Sequence, residues 1–267
     1  AETGAALESF GAHSKAVNSL VFAKDGRLVS GGADGKAQVW RSRGDWKLAR
    51  TIGTGDGKSP LADRVNALAF SPDGLSLATG GGEPSRDGEL KVWTVADGKL
   101  KSAFKQIHSD SVLDLEYSAD GKRLASSAAD RFVKIVDVAS GKIVNSFEGH
   151  THHVLGVSWK RDGRTLASGG ADKAIKVWDV AKGGRKKSIA GFSKEVTSVS
   201  YVDNQNYFLA GAGDSAAAHA APGCVLSDLL TQGMGSVRLE EIREKAEDGA
   251  RISPQEGLWL LTQAPLA

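Results

Sequence analysis

The stretch VLGVSWKRDGRTLASGGADKAIKVWD (154–179) decides the fold. VLGVSW (154–159) alternates with the period of two that a β-strand imposes and is rich in Val, Leu and aromatics. Asp162-Gly163 follows as a tight turn, since glycine takes positive φ without steric cost. TLASGG (165–170) returns as a second strand, a turn centred on Asp172 reverses the chain again, and IKVW (175–178) is a third. The same order recurs upstream. VNSLVF (17–22), VNALAF (65–70) and VLDLEY (112–117) precede the turns Asp25-Gly26, Asp73-Gly74 and Asp120-Gly121. RLVSGG (27–32), SLATGG (76–81) and RLASSA (123–128) come after them, and then AQVW (37–40), LKVW (90–93) and VKIV (133–136). An outer strand such as KIVNSF (142–147) completes each unit. The Asp-Gly turns are spaced by 48, 47 and 42 residues, close to the roughly 40–45 expected of four-stranded propeller blades.

Composition narrows the function classes. Of 267 residues, 34 are Lys or Arg and 32 Asp or Glu. An excess of two positive charges provides no electrostatic footprint for a nucleic acid or membrane partner. Cys224 is the single cysteine, which excludes an internal disulfide and a cysteine-built cluster. No apolar run reaches the roughly eighteen residues of a membrane span, and no basic start with an apolar stretch marks a secretion leader, which favours a cytoplasmic location.

Several residue types coincide at fixed offsets within the repeats, and over residues 5–213 the chain resembles the WD40-repeat β-propeller family. In that family a His before the first strand, a Ser or Thr in the second, an Asp in the next turn and a Trp in the third form a hydrogen-bonded set. The resemblance implies such sets at His13, Ser30, Asp34 and Trp40 in the first blade and at His150, Ser168, Asp172 and Trp178 in the fourth. The third keeps His108, Ser126 and Asp130 but has Val136 in place of Trp, so its set should end short. The second keeps Thr79, Asp87 and Trp93, offers Asp63 or Arg64 in place of His, and carries an insertion around residues 83–86. Each buried donor or acceptor in such a set needs a partner, because leaving one unmade costs about 1–3 kcal/mol. Ser, His and Asp together also invite a hydrolase reading, but a trio copied in successive repeats fits a structural role.

The expected fold is all-β: a propeller of about four complete blades plus an incomplete fifth, followed by a short helical tail. The fifth unit begins with VTSVSYVDN (196–204) and NYFLAGAGD (206–214), and no third-strand Trp follows. The domain reading is therefore blades over 1–213, an Ala-rich linker over 214–223, and the tail over 224–267, in which Ser253-Pro254-Gln255-Glu256 opens a helix as a capping box. The resemblance implies that the segment before the first His, here AALESF (5–10), supplies the ring-closing outer strand, so that either the ring closes with an irregular fifth blade or the array is open and truncated. The segment 239–267 resembles the leading helices of radical-SAM enzymes of the futalosine route to menaquinone, but CxxxCxxC is absent. The alternative function is thus a propeller fragment fused to the truncated front of such an enzyme, inactive as it stands; the other reading of the tail is a helical cap packed on the open edge of the fifth blade.

GTGDGKS (53–59) has the wrong glycine spacing for a phosphate-binding loop. His150, His152 and His153 lack the thiolate or carboxylate that would complete a tetrahedral metal site. GGRKK (183–187) reads as a solvated turn tip. No cofactor and no metal are expected. The expected function is a non-catalytic scaffold that binds a protein or peptide on its loop face and contacts neither nucleic acid nor membrane. By position in the repeats, Asn18, Arg64, Asn66, Arg86, Ser111, His153 and Glu195 are the candidates for that face.

Overall fold

A computed structural model of the chain describes residues 11, 13–43, 45–53, 60–61, 63–202 and 208–212. Among the described residues every regular element is a strand. The expected Ala-rich linker over 214–223, the expected helical tail over 224–267 and the segment 5–10 expected to close the ring lie outside them. The chain forms two compact units, the first built on residues up to Asp130 and Lys134–Val144, the second on Arg131–Val133 and residues from Asn145 on.

Each repeat of the sequence is one antiparallel sheet. The first sheet is β1 (Val17–Phe22), β2 (Leu28–Gly32), β3 (Ala37–Arg43) and β4 (Asp45–Ile52). The second is β5 (Val65–Phe70), β6 (Ser76–Gly81), β7 (Gly88–Thr94) and β8 (Leu100–His108). The third is β9 (Val112–Tyr117), β10 (Arg123–Ala128), β11 (Val133–Asp137) and β12 (Ile143–Phe147). In the second unit the fourth sheet is β13 (Val154–Trp159), β14 (Thr165–Gly170), β15 (Ile175–Asp179) and β16 (Gly184–Ile189), and β17 (Val196–Tyr201) pairs with β18 (Phe208–Ala212). Strands follow one another in chain order across every sheet, as tight antiparallel turns require. Gly26, Gly74, Gly121 and Gly163 all take positive φ at the Asp-Gly turns, the conformation that only glycine adopts cheaply.

The core lies between sheets. In the first unit Val29, Ala37, Val39 and Ile52 of the first sheet pack with Val65, Leu68, Leu77 and Trp93 of the second. Leu90, Val92 and Phe104 of the second pack with Val112, Leu115 and Tyr117 of the third. In the second unit Ala167, Ile175, Val177 and Ile189 cluster with Val196, Val199, Phe208 and Ala210. The second to fourth strands of one sheet thus cover the first and second of the next. The glycine doublets permit the approach: a Cβ on Gly169 would stand 2.6 Å from Val196 Cγ1.

Bulges recur as regularly as turns. The first strand of each sheet shifts register after its first residue, for example between Val17 and Ser19 opposite Gly32 and Gly31 and between Val65 and Ala67 opposite Gly81 and Gly80. A bulge re-aims the extra side chain, and the extra residues here are Asn18 and Asn66.

Candidate functional site

Three of the four full sheets carry a buried polar chain beneath their loops. In the first, His13 Nδ1 lies 2.9 Å from Asp34 Oδ1 and Nε2 lies 2.8 Å from Ser30 Oγ, while Trp40 Nε1 donates to that hydroxyl at 2.9 Å. The fourth repeats it: His150 Nδ1 to Asp172 Oδ1 at 2.8 Å, Nε2 to Ser168 Oγ at 2.8 Å, and Trp178 Nε1 donating to Ser168 Oγ at 2.8 Å. With a neutral imidazole the donors run one way: indole N–H to hydroxyl, hydroxyl to Nε2, Nδ1–H to carboxylate. Every group is satisfied once. The carboxylate's second oxygen accepts the backbone N–H of the residue after the His, from Ser14 at 3.1 Å and Thr151 at 3.1 Å, and so ties the loop to the sheet.

The other two sheets are incomplete in different ways. In the third, His108 joins Asp130 Oδ2 at 2.9 Å and Ser126 Oγ at 2.8 Å. Val136 supplies no indole, and Ser126 Oγ lies 3.5 Å from the Lys134 carbonyl oxygen instead. In the second, Trp93 donates to Thr79 Oγ1 at 2.9 Å. The His place, four residues before the first strand, is held there by Leu61, which is buried in the cluster containing Trp93. Neither Asp63 nor Arg64 replaces the imidazole; they pair with each other at 3.3 Å. Phe192 stands at the same offset before β17 and packs on the second unit's core.

Burial and hydrogen bonding shift His108, His150, Asp34 and Asp172 in ways that favour neutral imidazoles and charged carboxylates. Burial pushes the His108 and His150 imidazoles below their ordinary value, and the bonds to Asp130 and Asp172 only partly offset it. For Asp34 and Asp172 burial acts upward, but hydrogen bonds from the His and from the loop N–H outweigh it and the carboxyls end below the usual range. Ser30, Ser126 and Ser168 are buried, with the hydroxyl enclosed by its own set. A nucleophile needs an adjacent substrate position, and these hydroxyls face protein atoms. The trio therefore holds loops in place.

A member not read from the sequence is the lysine two residues before the Trp place. Lys91 Nζ donates to the Pro60 carbonyl and lies 2.5 Å from Glu89 Oε1. Lys134 Nζ donates to the Ile107 carbonyl at 2.5 Å, and Lys176 Nζ is 3.7 Å from Asp172 Oδ2. The first two clamp the backbone just before the His place. The recurrence of Lys in LKVW, VKIV and IKVW was the available signal.

The loop-face candidates separate by what their side chains already do. Asn18 Nδ2 donates to the Val65 carbonyl at 3.2 Å and to Asn66 Oδ1 at 3.1 Å, and Asn66 Nδ2 donates to the Val112 carbonyl at 3.0 Å. The two amides stitch the first strands of neighbouring sheets together. Ser111 is buried, and its hydroxyl donates to the Gly82 carbonyl at 3.0 Å, which anchors the inserted loop. That loop is further fixed by Ser85 N donating to Asp110 Oδ1 at 2.8 Å. Arg64 and Arg86 have side chains 43% and 73% exposed, the latter 2.7 Å from Glu83 Oε2. On the second unit His153 and Glu195 are exposed, and the His152 and His153 rings lie 4.5 Å apart. Among the described residues no group of three His, Cys, Asp or Glu is placed to hold a metal ion.

Four-stranded sheets with a repeated His, Ser, Asp and Trp set are matched by one family profile, WD domain, G-beta repeat, over residues 4–41, 51–94 and 141–179. The chain carries WD40 repeats. A second profile, the anaphase-promoting complex subunit 4 WD40 domain, matches residues 86–155 of this WD40 chain. Among its relatives, the chromatin assembly factor 1 subunit FAS2 homolog of Oryza sativa subsp. japonica is 32% identical over 133 residues, 47% of this chain and 26% of the relative. U3 small nucleolar RNA-associated protein 12 of Saccharomyces cerevisiae is 28% identical over 130 residues, 49% of this chain and 12% of the relative. WD repeat-containing protein 1 of Bos taurus is 29% identical over 150 residues, 55% of this chain and 23% of the relative. The WD40 chain thus spans about a quarter or less of the length of these three relatives.

Proposed function

We propose that the chain is a non-catalytic interaction scaffold whose sheets hold loops rigid for a protein or peptide partner. The observation that carries this reading is the contrast between the buried sets and the exposed side chains of the loops. The His, Ser and Asp groups are consumed in internal hydrogen bonds, whereas loops at the same end of the sheets present exposed Arg64 and Arg86 in the first unit and His153 and Glu195 in the second. Loops held by a rigid scaffold are where recognition resides, and arginine is enriched at the anchor points of interfaces. The inserted loop 82–87, fixed by Asp110 and Ser111, adds polar surface to the loops that carry these side chains. The relatives' names include chromatin assembly and small nucleolar RNA association, so a protein partner within a protein–nucleic acid assembly fits the proposal.

The test is a pulldown from source lysate with the wild-type chain and an Arg64→Glu/Arg86→Glu variant as parallel baits. Both side chains are exposed, and surface substitutions of this kind usually change stability by within about 0.5 kcal/mol, so matched thermal melts are expected. The proposal requires a protein retained by the wild type and lost from the variant. A protein retained equally by both baits removes the two arginines from the face.

A further inference from the structure

On the second unit a cavity of about 450 Å³ opens against the outer half of the fourth sheet. Its apolar floor is Val177, Ile189, Tyr201 and Phe208, and its rim carries the ammonium-bearing side chains of Lys160, Lys186 and Lys187. Strand geometry explains the pair of adjacent lysines. Along β16 the residues Lys187 and Ile189 share a face, as alternation requires, and a register shift between Val177 and Trp178 pairs them with Lys187 and Arg185. Lys186 is the extra residue of that bulge. Two consecutive lysines therefore border one cavity, where a regular strand would turn one of them away. The basic run GGRKK is thus more than a turn tip, because two of its three cations line a concave apolar site.

Charge and shape point to one kind of occupant. Lys160 is 3.7 Å from Asp162 Oδ2, while neither Lys186 nor Lys187 makes an ion pair among the described residues. Cations gathered beside a low-dielectric floor favour an anion, because their mutual repulsion is relieved when it binds. The floor calls for an apolar side chain. A nucleobase fits less well: stacking needs an open ring face, and Phe208 is 8% exposed, with the Tyr201 ring meeting it edge-on at 5.4 Å and 73°. We propose that this cavity docks an acidic peptide segment, one aliphatic or aromatic side chain of which seats on Val177, Ile189, Tyr201 and Phe208 while its carboxylates meet Lys160, Lys186 and Lys187. The site uses none of the residues assigned to the loop face, so either assignment can fail without the other.

The experiment is fluorescence anisotropy with the full chain and a labelled peptide of Glu and Asp flanking one central Phe, at low salt. Parallel titrations use the same peptide with Phe replaced by Gly, a labelled single-stranded RNA, a Lys186→Glu/Lys187→Glu variant, and a Lys142→Glu/Lys182→Glu control of equal charge change at exposed turns. The wild type should bind the Phe peptide, the control variant should stay within about twofold, and both the cavity variant and the Gly peptide should weaken binding about tenfold. No binding by the wild type overturns the proposal, as does equal loss in the two variants, which would mean unspecific charge attraction. Equal affinity for the Gly peptide overturns the apolar seat. Binding of the RNA alone, abolished in the cavity variant, would reassign the cavity to single-stranded nucleic acid.

Discussion

Trp178 shows what a single residue does here. It is buried, donates its indole N–H to Ser168 Oγ at 2.8 Å and stacks on Phe147 at 5.0 Å and 23°. Trp178→Ala removes both contributions and should cost about 3–5 kcal/mol. Trp178→Phe keeps an aromatic body and loses one hydrogen bond, so its cost should be nearer 0.5–1.5 kcal/mol. Urea unfolding midpoints of the two variants decide this. A loss below about 1 kcal/mol for Trp178→Ala would contradict an indole that carries core packing. Val136 shows that a sheet survives with Ser126 as the end of its set. At this scale the groups that face one another were legible because their types recur at fixed offsets. Leu61 was not, because a leucine in a loop carries no polar signature and only its burial with Trp93 reveals that it fills the imidazole's place. Lys91 and Lys134 were missed for a related reason: a lysine in a strand reads as a solvent-facing residue, while here its apolar stem lies along the sheet and its head reaches a backbone carbonyl.

At the scale of the element, β1 departs from the strands it repeats. Leu20 and Phe22 occupy the positions of Leu68 and Phe70 in β5 and of Leu115 and Tyr117 in β9, but they are 63% and 65% exposed, against 3% for Leu115. Leu115 is covered by Leu90, Val92 and their neighbours on the second sheet. Among the described residues no sheet precedes β1 in the chain, and Phe22 has Trp46 of its own sheet at 6.2 Å. Leu115→Ala should therefore cost about 2–5 kcal/mol, as removal of a buried leucine does, whereas Leu20→Ala should stay within about 0.5 kcal/mol. Chemical denaturation of the pair checks the difference, and equal costs would mean that β1 is covered in solution. Strand identity and order were legible from alternation and Asp-Gly turns, whose chemistry is local. Bulges were not, because a register shift depends on what the neighbouring strand presents. Asn18 and Asn66 consequently read as loop-face residues, although the bulge aims their amides at the next sheet's backbone.

Across the whole molecule the buried sets make stability a function of pH, because they occur in both compact units. Folded, the His108 and His150 imidazoles hold pKa values below the ordinary 6.5, chiefly through burial. Unfolded, both take up protons near 6.5. Between the folded and unfolded values the unfolded state binds more protons, so stability rises with pH there and is lost on acidification. A second loss follows at lower pH: Asp34 and Asp172 fold with pKa values below 3.8, and the stability they contribute disappears as pH falls through that depressed range. Structure dictates the order, since protonating a set's imidazole turns Nε2 into a donor facing a hydroxyl that in the fourth sheet already receives the Trp178 N–H. Ser168 must then find another acceptor while buried, at the cost of an unmade bond. The urea midpoint of the wild type should fall as pH is lowered from about 7.5 to about 5. A His108→Asn/His150→Asn variant should start less stable at the upper pH and show a flatter dependence over the same interval, because two of the groups that differ between states have been removed. If the two curves run parallel, other groups carry the proton uptake, and the imidazoles are not held neutral by the sets that enclose them.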